Sequence, residues 1–260
     1  MNENIQIQLR NISKQYHLYN TGSGRLFNEL IPFLNKKYQK FTALDDISFD
    51  VAKGEIVGII GRNGSGKSTL LRVVAGITSP TTGSVVINGK IVPLFELGTG
   101  FHGDLTGREN LYYFTILQNF GKQKSAEIIE KAVEFAELGD FIDQPIRTYS
   151  RGMRSRLAFS ISIFIEADIL AIDEVLAVGD AAFKEKSYQK FNELITSGKT
   201  ILLVTHSEKE VEKVCNRCIM LGNGRLLMDG NPANVIKEYQ AMNRALNKGK
   251  MDVKAVPKPY

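Results

Sequence analysis

The chain is predicted to be α/β, with a mostly parallel sheet carrying helices on both faces. Three observations support this. Short apolar runs, "EIVGII" (55–60), "DILAID" (168–173) and "TILLVTH" (200–206), alternate with longer helical stretches, as in a parallel sheet joined by helical crossovers. The N-terminal "IQIQLRNI" (5–12) alternates polar and apolar residues, and "ALDDISFDV" (43–51) reads as its partner strand. The middle of the chain, about 100–160, is helical in character. An antiparallel start and a helical middle favour two lobes of one domain over two independent domains.

The elements follow in order. Between the first two strands lies an insert, 17–42, whose "RLFNELIPFLNK" places Leu26, Leu30, Phe33 and Leu34 on one side, next to Phe27 and Ile31. This is an amphipathic helix interrupted by Pro32. It either packs on the body or meets a membrane or a membrane partner. After the 55–60 strand, "GRNGSGKST" (61–69) leads into a short helix, "TLLRVVAGI" (69–77). "GSVVING" (83–89) and "KIVPLFELG" (90–98) read as strands, and 106–120 and 123–138 as helices. Another helix opens near Ser150, in "GMRSRLAFSISIFIE". After the 168–173 and 200–206 strands, "RCIMLGNGRLLMDG" (217–230) also reads as buried strand, and "NPANVIKEYQAMNRAL" (231–246) as a last helix. The tail 248–260 is rich in Gly, Pro and Lys and is expected to fray. There are no repeats.

At 260 residues and 43% hydrophobic composition the chain can bury a large core. No run of 18 apolar, uncharged residues suggests a membrane span. "MNENIQIQL" lacks a basic-then-apolar leader, so a cytoplasmic location is expected. The formal charge of +5, partly in the tail, is weak evidence for nucleic acid or anionic lipid. Cys215 and Cys218 make a single C-x-x-C at a helix end and strand start, and reduced, buried thiols are the default. His17 and His102 fall in loops.

The chemistry centres on 61–69. The spacing G-x-x-x-x-G-K-S, from Gly61 to Ser68, sits between a strand and a helix, as a phosphate loop requires. Gly61, Gly64 and Gly66, with Asn63 and Ser65, allow backbone amides to converge on an anion. The following helix, entered at Thr69, adds unpaired amides and the positive end of its dipole. Lys67 can reach β- and γ-phosphates, and Ser68 can ligate Mg²⁺. "ADILAIDEV" (167–175) ends a strand in Asp173 and Glu174. Asp173 can hold Mg²⁺ through water, and Glu174 can polarise the water that attacks a γ-phosphate. His206 sits at the tip of another buried strand and can contact that phosphate or orient the water. Ser150 is a good N-cap for its helix, whose start can present amides and a hydroxyl to an anion.

Together, the phosphate loop, "YSRGMRSRLAFS" (149–160), "LAIDEVLAVGD" (170–180) and "LLVTHS" (202–207) resemble the nucleotide-binding subunit of an ATP-binding cassette transporter. The resemblance covers about residues 5–240. It implies a P-loop ATPase of the ATP-binding cassette type, using ATP and Mg²⁺. The sheet core would then carry an antiparallel N-terminal β subdomain and a helical subdomain. Residues 1–240 would be the cassette and 241–260 the terminal helix end and basic tail. Tyr16 matches the aromatic that stacks on adenine, with Tyr19 as rival and a packed core tyrosine as the other reading. Glu96 stands at the position of the usual glutamine and would coordinate Mg²⁺ or its water. Ser150 and Gly152 keep two positions of a signature in which Arg151 and Met153 replace glycine and glutamine. Asp180 matches an aspartate at the dimer contact.

"YSRGM", "ELGTGFHGDLTGREN" (96–110), "DEVLAVGD" and the insert look like the branch that exports polysaccharides. That branch implies a second copy of this chain in an ATP-sandwich dimer, beneath two copies of a polytopic membrane permease. The work would be export of a lipid-linked glycan from the cytoplasmic face of the inner membrane, with no nucleic acid involved. O-antigen is the first choice of cargo, with capsule or teichoic acid as alternatives. The insert resembles a gate helix near the membrane. Some O-antigen members carry a C-terminal glycan-binding sandwich domain; here it is either absent or removed, and if absent, recognition of the glycan would fall to the permease or elsewhere. The rivals are a soluble ATPase of the same class acting on ribosomes or DNA, and a nucleotide-binding module without turnover.

Overall fold

The computed structural model describes residues 4–19, 38–95, 98–173 and 179–247. Most of the insert, Glu96, Glu174 and the tail from 248 lie outside the described residues. The chain forms two compact units. One is drawn from Met1–Ala52, Val57–Asn88 and His206–Tyr260, the other from Lys53–Ile56 and Gly89–Thr205.

The first unit opens with an antiparallel sheet. β1 (Ile5–Tyr19) lies between β2 (Tyr38–Ala52) and β4 (Thr82–Ile87). Alternation puts Ile7 and Leu9 inside, Ile12 joins them past a register shift, and Leu44, Ile47 and Val51 of β2 are buried as well. Both long strands run further than their clean alternation. Gln15 pairs with Thr42, Tyr16 with Phe41 and Tyr19 with Tyr38, past register shifts between Leu9 and Gln15. Aromatic and β-branched residues favour the paired state there, and bulges absorb the irregular register. The insert is therefore strand at both its ends, and His17 sits exposed on β1, opposite Lys40, rather than in a loop.

A second layer of this unit pairs β3 (Ile56–Ile60) in parallel with β8 (Arg217–Gly222), which pairs antiparallel with β9 (Arg225–Gly230). The 217–230 stretch is thus a hairpin turning at Asn223 and Gly224. β8 is almost wholly buried, whereas β9, expected to be buried, is largely half-exposed. α1 (Lys67–Val74) follows β3. α6 (Glu208–Val214) and α7 (Pro232–Asn247) close the unit by packing Val211, Val235 and Ile236 against Ile60, Cys218 and Met220.

In the second unit β5 (Ile91–Pro93), β6 (Ile169–Asp173) and β7 (Thr200–Val204) are parallel neighbours in that order. The strand expected over 90–98 is only three residues long. The helices are α2 (Gly107–Leu117), α3 (Lys122–Ala136), α4 (Arg151–Phe164) and α5 (Ala181–Ile195). α2 starts with a reciprocal capping box between Thr106 and Glu109. α3, α4 and α5 meet through Phe135, Phe159, Ile163 and Phe183. Phe183 sits edge-on to Phe135 and Phe159 at centroid distances of 5.5 and 6.2 Å. Edge-to-face contact is the geometry that aromatic quadrupoles prefer.

Candidate functional site

In the first unit, β3 ends at Ile60 and the chain turns through residues 61–66 into α1. Gly64 and Gly66 have φ of +78° and +104°, backbone that side chains oppose. A Cβ on Gly66 would lie 2.7 Å from the Ala43 carbonyl oxygen and 2.9 Å from Leu44 Cδ2. Neighbouring backbone therefore presses directly on the loop. The β8–β9 turn pins it from another side, where the Gly224 amide donates to the Ser65 carbonyl at 3.0 Å and the Asp45 amide donates to the Gly224 carbonyl at 2.8 Å.

Lys67 is only 7% exposed. Its Nζ donates to the carbonyls of Gly61 (2.7 Å) and Arg62 (3.1 Å). Burying a cation costs solvation, and phosphate oxygens would offset that cost through charge-assisted hydrogen bonds. The start of α1 has no side-chain cap and no acidic residue in its first turn. A helix start of this kind, with its amides and the positive end of its dipole, suits an anion. Ser65 is 4% exposed, and its Oγ has no hydrogen-bond partner among the described residues. Ser68 is exposed on that first turn and Thr69 half-buried. Asn63 and Gly64 are exposed at the loop tip. These features fit a polyphosphate with its Mg²⁺, where Lys67 and the loop amides would meet phosphate and the Ser68 hydroxyl the metal.

Two further predicted residues belong to this unit. Tyr16 lies half-buried on β1, with Lys14 Nζ 5.2 Å from its ring centroid. His206 is exposed just ahead of α6, whose N-cap Ser207 accepts from the Glu210 amide at 3.2 Å.

In the second unit, β6 is buried from Ile169 to Ile172, and Asp173 emerges half-buried at its carboxyl end, in register with Val204. Ser150 caps α4 as expected, accepting from the Met153 amide at 3.2 Å. Ser150, Gly152 and Asp180 line one open depression of about 570 Å³. Asp180 caps α5 by accepting from the Phe183 amide at 3.0 Å. That amide holds the Asp180 carboxyl below the usual carboxylate range. Arg156 of α4 stands 3.5 Å from Asp180 and 3.2 Å from Glu137, with its guanidinium 4.7 Å from the Phe183 ring centroid. Lys186 likewise lowers the Glu137 carboxyl.

The structure thus gathers residues 61–69 into one loop and helix start, and gathers Ser150, Gly152 and Asp180 around one depression. Sequence reasoning missed Arg156, which ties the two loops of that depression together. It also missed the Asn223–Gly224 turn that supports Ser65. The N-G dipeptide was a turn signal in itself, whereas nothing local marks the partners of Arg156.

Cys215 follows α6 and Cys218 is buried in β8. Burial pushes both thiols up to about 12, so they stay protonated and inert near neutral pH. A Cβ on Gly58 would come within 3.0 Å of Cys215 Sγ, which marks the thiol as packing. Among the described residues no group of three His, Cys, Asp or Glu is placed to hold a metal, and no helix is long and apolar enough to cross a membrane.

A family profile described as ABC transporter matches residues 44–177. The chain is 46% identical over 241 residues to an O-antigen export system ATP-binding protein, RfbB, of Klebsiella pneumoniae, covering 91% of this chain and 98% of that protein. It is 42% identical over 254 residues to a teichoic acids export ATP-binding protein, TagH, of Listeria innocua, covering 98% of this chain and 75% of that one. Among solved structures, an ATP-binding subunit of an ABC transporter superposes with a TM-score of 0.70 at 21% identity, over 90% of this chain and 93% of that one. A dimeric ATP-binding cassette with ADP and Pi superposes with a TM-score of 0.67 at 22% identity, over 87% of this chain and 98% of that one. The fold is that of the P-loop cassette ATPases, and the chain belongs to the ABC transporter family, in which it binds and hydrolyses ATP with Mg²⁺.

Proposed function

We propose that this chain is the ATP-hydrolysing subunit of an exporter that drives a lipid-linked polysaccharide outward across the cytoplasmic membrane. The observation that carries this is the 46% identity, nearly end to end, to the O-antigen export protein. O-antigen is the cargo this reading puts first, and the teichoic acids relative keeps a second glycan class in view. The chain sits at the inner face of the membrane, held by two copies of a polytopic permease that handles the glycan. Residues 1–240 act as the cassette, with the insert 17–42 as a gate helix near the membrane.

Lys67 and the amides of 61–66 grip the β- and γ-phosphates, and Tyr16 stacks on adenine. Mg²⁺, when bound, would offset charge on the phosphate oxygens, and Ser68, Asp173 and Glu96 would hold it. Glu174 takes the proton of the attacking water, which His206 orients. Ser150 and Gly152 present the start of α4 to the γ-phosphate bound by a second copy, and Asp180 lies at that contact. A head-to-tail dimer is thereby needed for turnover. The basic Arg151 and Arg156 beside Ser150 suit an anion.

Glu174→Gln should bind ATP with wild-type affinity and hydrolyse it at least about 100-fold more slowly, since the water loses its base. Near-normal turnover would remove Glu174 from this role. The transport reading is tested by tagging the chain in its source cell, solubilising membranes gently and weighing the stoichiometric partners. A polytopic permease in equal ratio supports it. Ribosomal or DNA-associated proteins without a permease would overturn it and leave the ATPase standing.

A further inference from the structure

The phosphate loop has an apolar back wall. α7 carries Pro232, Val235, Ile236, Tyr239, Met242 and Leu246 at helical spacing, all buried or half-buried. Its first half is anchored, with Val235 and Ile236 in the cluster that includes Ile60, the residue before Gly61. Met242 and Leu246, in its second half, face residues 62–65 and the 221–223 turn across a cavity of about 130 Å³. Just before them in sequence, Gln240 Nε2 donates to Glu208 Oε2 at 2.5 Å. Glu208 is the first residue of α6, two positions after His206. One helix therefore lines the cavity behind the loop that grips phosphate and bonds to the helix that follows His206.

We propose that the C-terminal half of α7 is a positioning element of the ATP site. Met242 and Leu246 limit how far the loop tip can fall back, and Gln240 seats the helix behind His206. The tip residues Arg62, Asn63 and Gly64 are otherwise exposed to solvent, and a cavity behind them gives the loop room to move. Phosphate contacts lose their value steeply when the loop is displaced by about an ångström. Apolar side chains that narrow the cavity would therefore hold the amides in a binding-competent arrangement. The inference rests on 61–69 being the ATP phosphate loop.

The test uses the full chain with Met242→Ala and Leu246→Ala combined, and Leu246→Ala alone should the pair not fold. Without nucleotide, amides 61–67 should exchange with deuterium about tenfold faster, while those of β3 and β8 keep their wild-type rates. The Kd of a fluorescent ATP analogue with Mg²⁺ should rise about three- to tenfold. Met242→Leu with Leu246→Met should restore both. Gln240→Ala, which leaves the apolar face intact, should lower turnover about threefold with unchanged affinity. Loop exchange and Kd both within about twofold of wild type in the alanine variant would overturn the proposal. Loop and core exchange rising together would overturn it as well, because that marks a general loss of stability. If the wild-type chain failed to bind the analogue, the phosphate-loop reading itself would fall.

Discussion

Lys67→Ala should abolish ATP turnover while leaving the protein folded. The ammonium is 7% exposed, and the carbonyls of Gly61 and Arg62 accept hydrogen bonds from it. Removing it takes away a buried charge whose desolvation already costs the fold, so the folded state loses little. A bound triphosphate loses much more. A hydrogen bond to a charged group contributes about 1.5–3 kcal/mol, which corresponds to roughly 10- to 100-fold in affinity. The charge that develops on the transferring phosphoryl group adds a further loss in rate. Turnover should therefore fall at least about 100-fold, and the Kd of a fluorescent ATP analogue should rise at least about tenfold. The melting temperature should move by no more than a few degrees, about 1 kcal/mol at this chain length. Lys67→Met should behave in the same way. Turnover near the wild-type rate would remove Lys67 from the phosphate site, and a collapse of melting temperature would make its role structural.

Gly66→Ala should be among the most damaging single methyl additions in the chain. Two effects combine. The residue holds φ at +104°, and its new Cβ would meet the Ala43 carbonyl at 2.7 Å and Leu44 Cδ2 at 2.9 Å. The backbone strain costs about 1–2 kcal/mol, and the overpacking about 1–3 kcal/mol because the main neighbour is backbone. Together they predict a fall in melting temperature of roughly 5–15 °C. Nucleotide affinity should fall too, because Gly66 immediately precedes Lys67. Gly64→Ala is the control. Its φ is +78° but nothing lies within 4 Å of the added Cβ, so only strain of about 1 kcal/mol remains. Equal melting temperatures for the two variants would show that close approach at Gly66 does not matter.

Several features were legible because they are local. The strand, glycine loop and helix of 55–77 are contiguous, so spacing alone carried the phosphate site. Ser150 could be read as a cap because its partner, the Met153 amide, is three residues away. Asp173 and His206 follow runs of four and six apolar or threonine residues that end in a polar group, a pattern visible without coordinates.

Other features depend on partners far apart in the chain. β1 and β2 extend to Tyr19 and Tyr38 because their ends pair across the insert, and pairing of this kind leaves no alternation to read once bulges shift the register. The turn at Gly224 supports Ser65 from about 160 positions away. Arg156 joins Glu137 and Asp180 across three helices. Met242 and Leu246 back a loop some 180 residues earlier. The amino-acid order alone thus specified the chemical groups and the local turns that present them, because amides, caps and glycine φ angles are set within a few residues. Packing between distant segments chose which side chains hold those turns still, because buried contacts are selected by three-dimensional fit and leave no periodic trace along the chain.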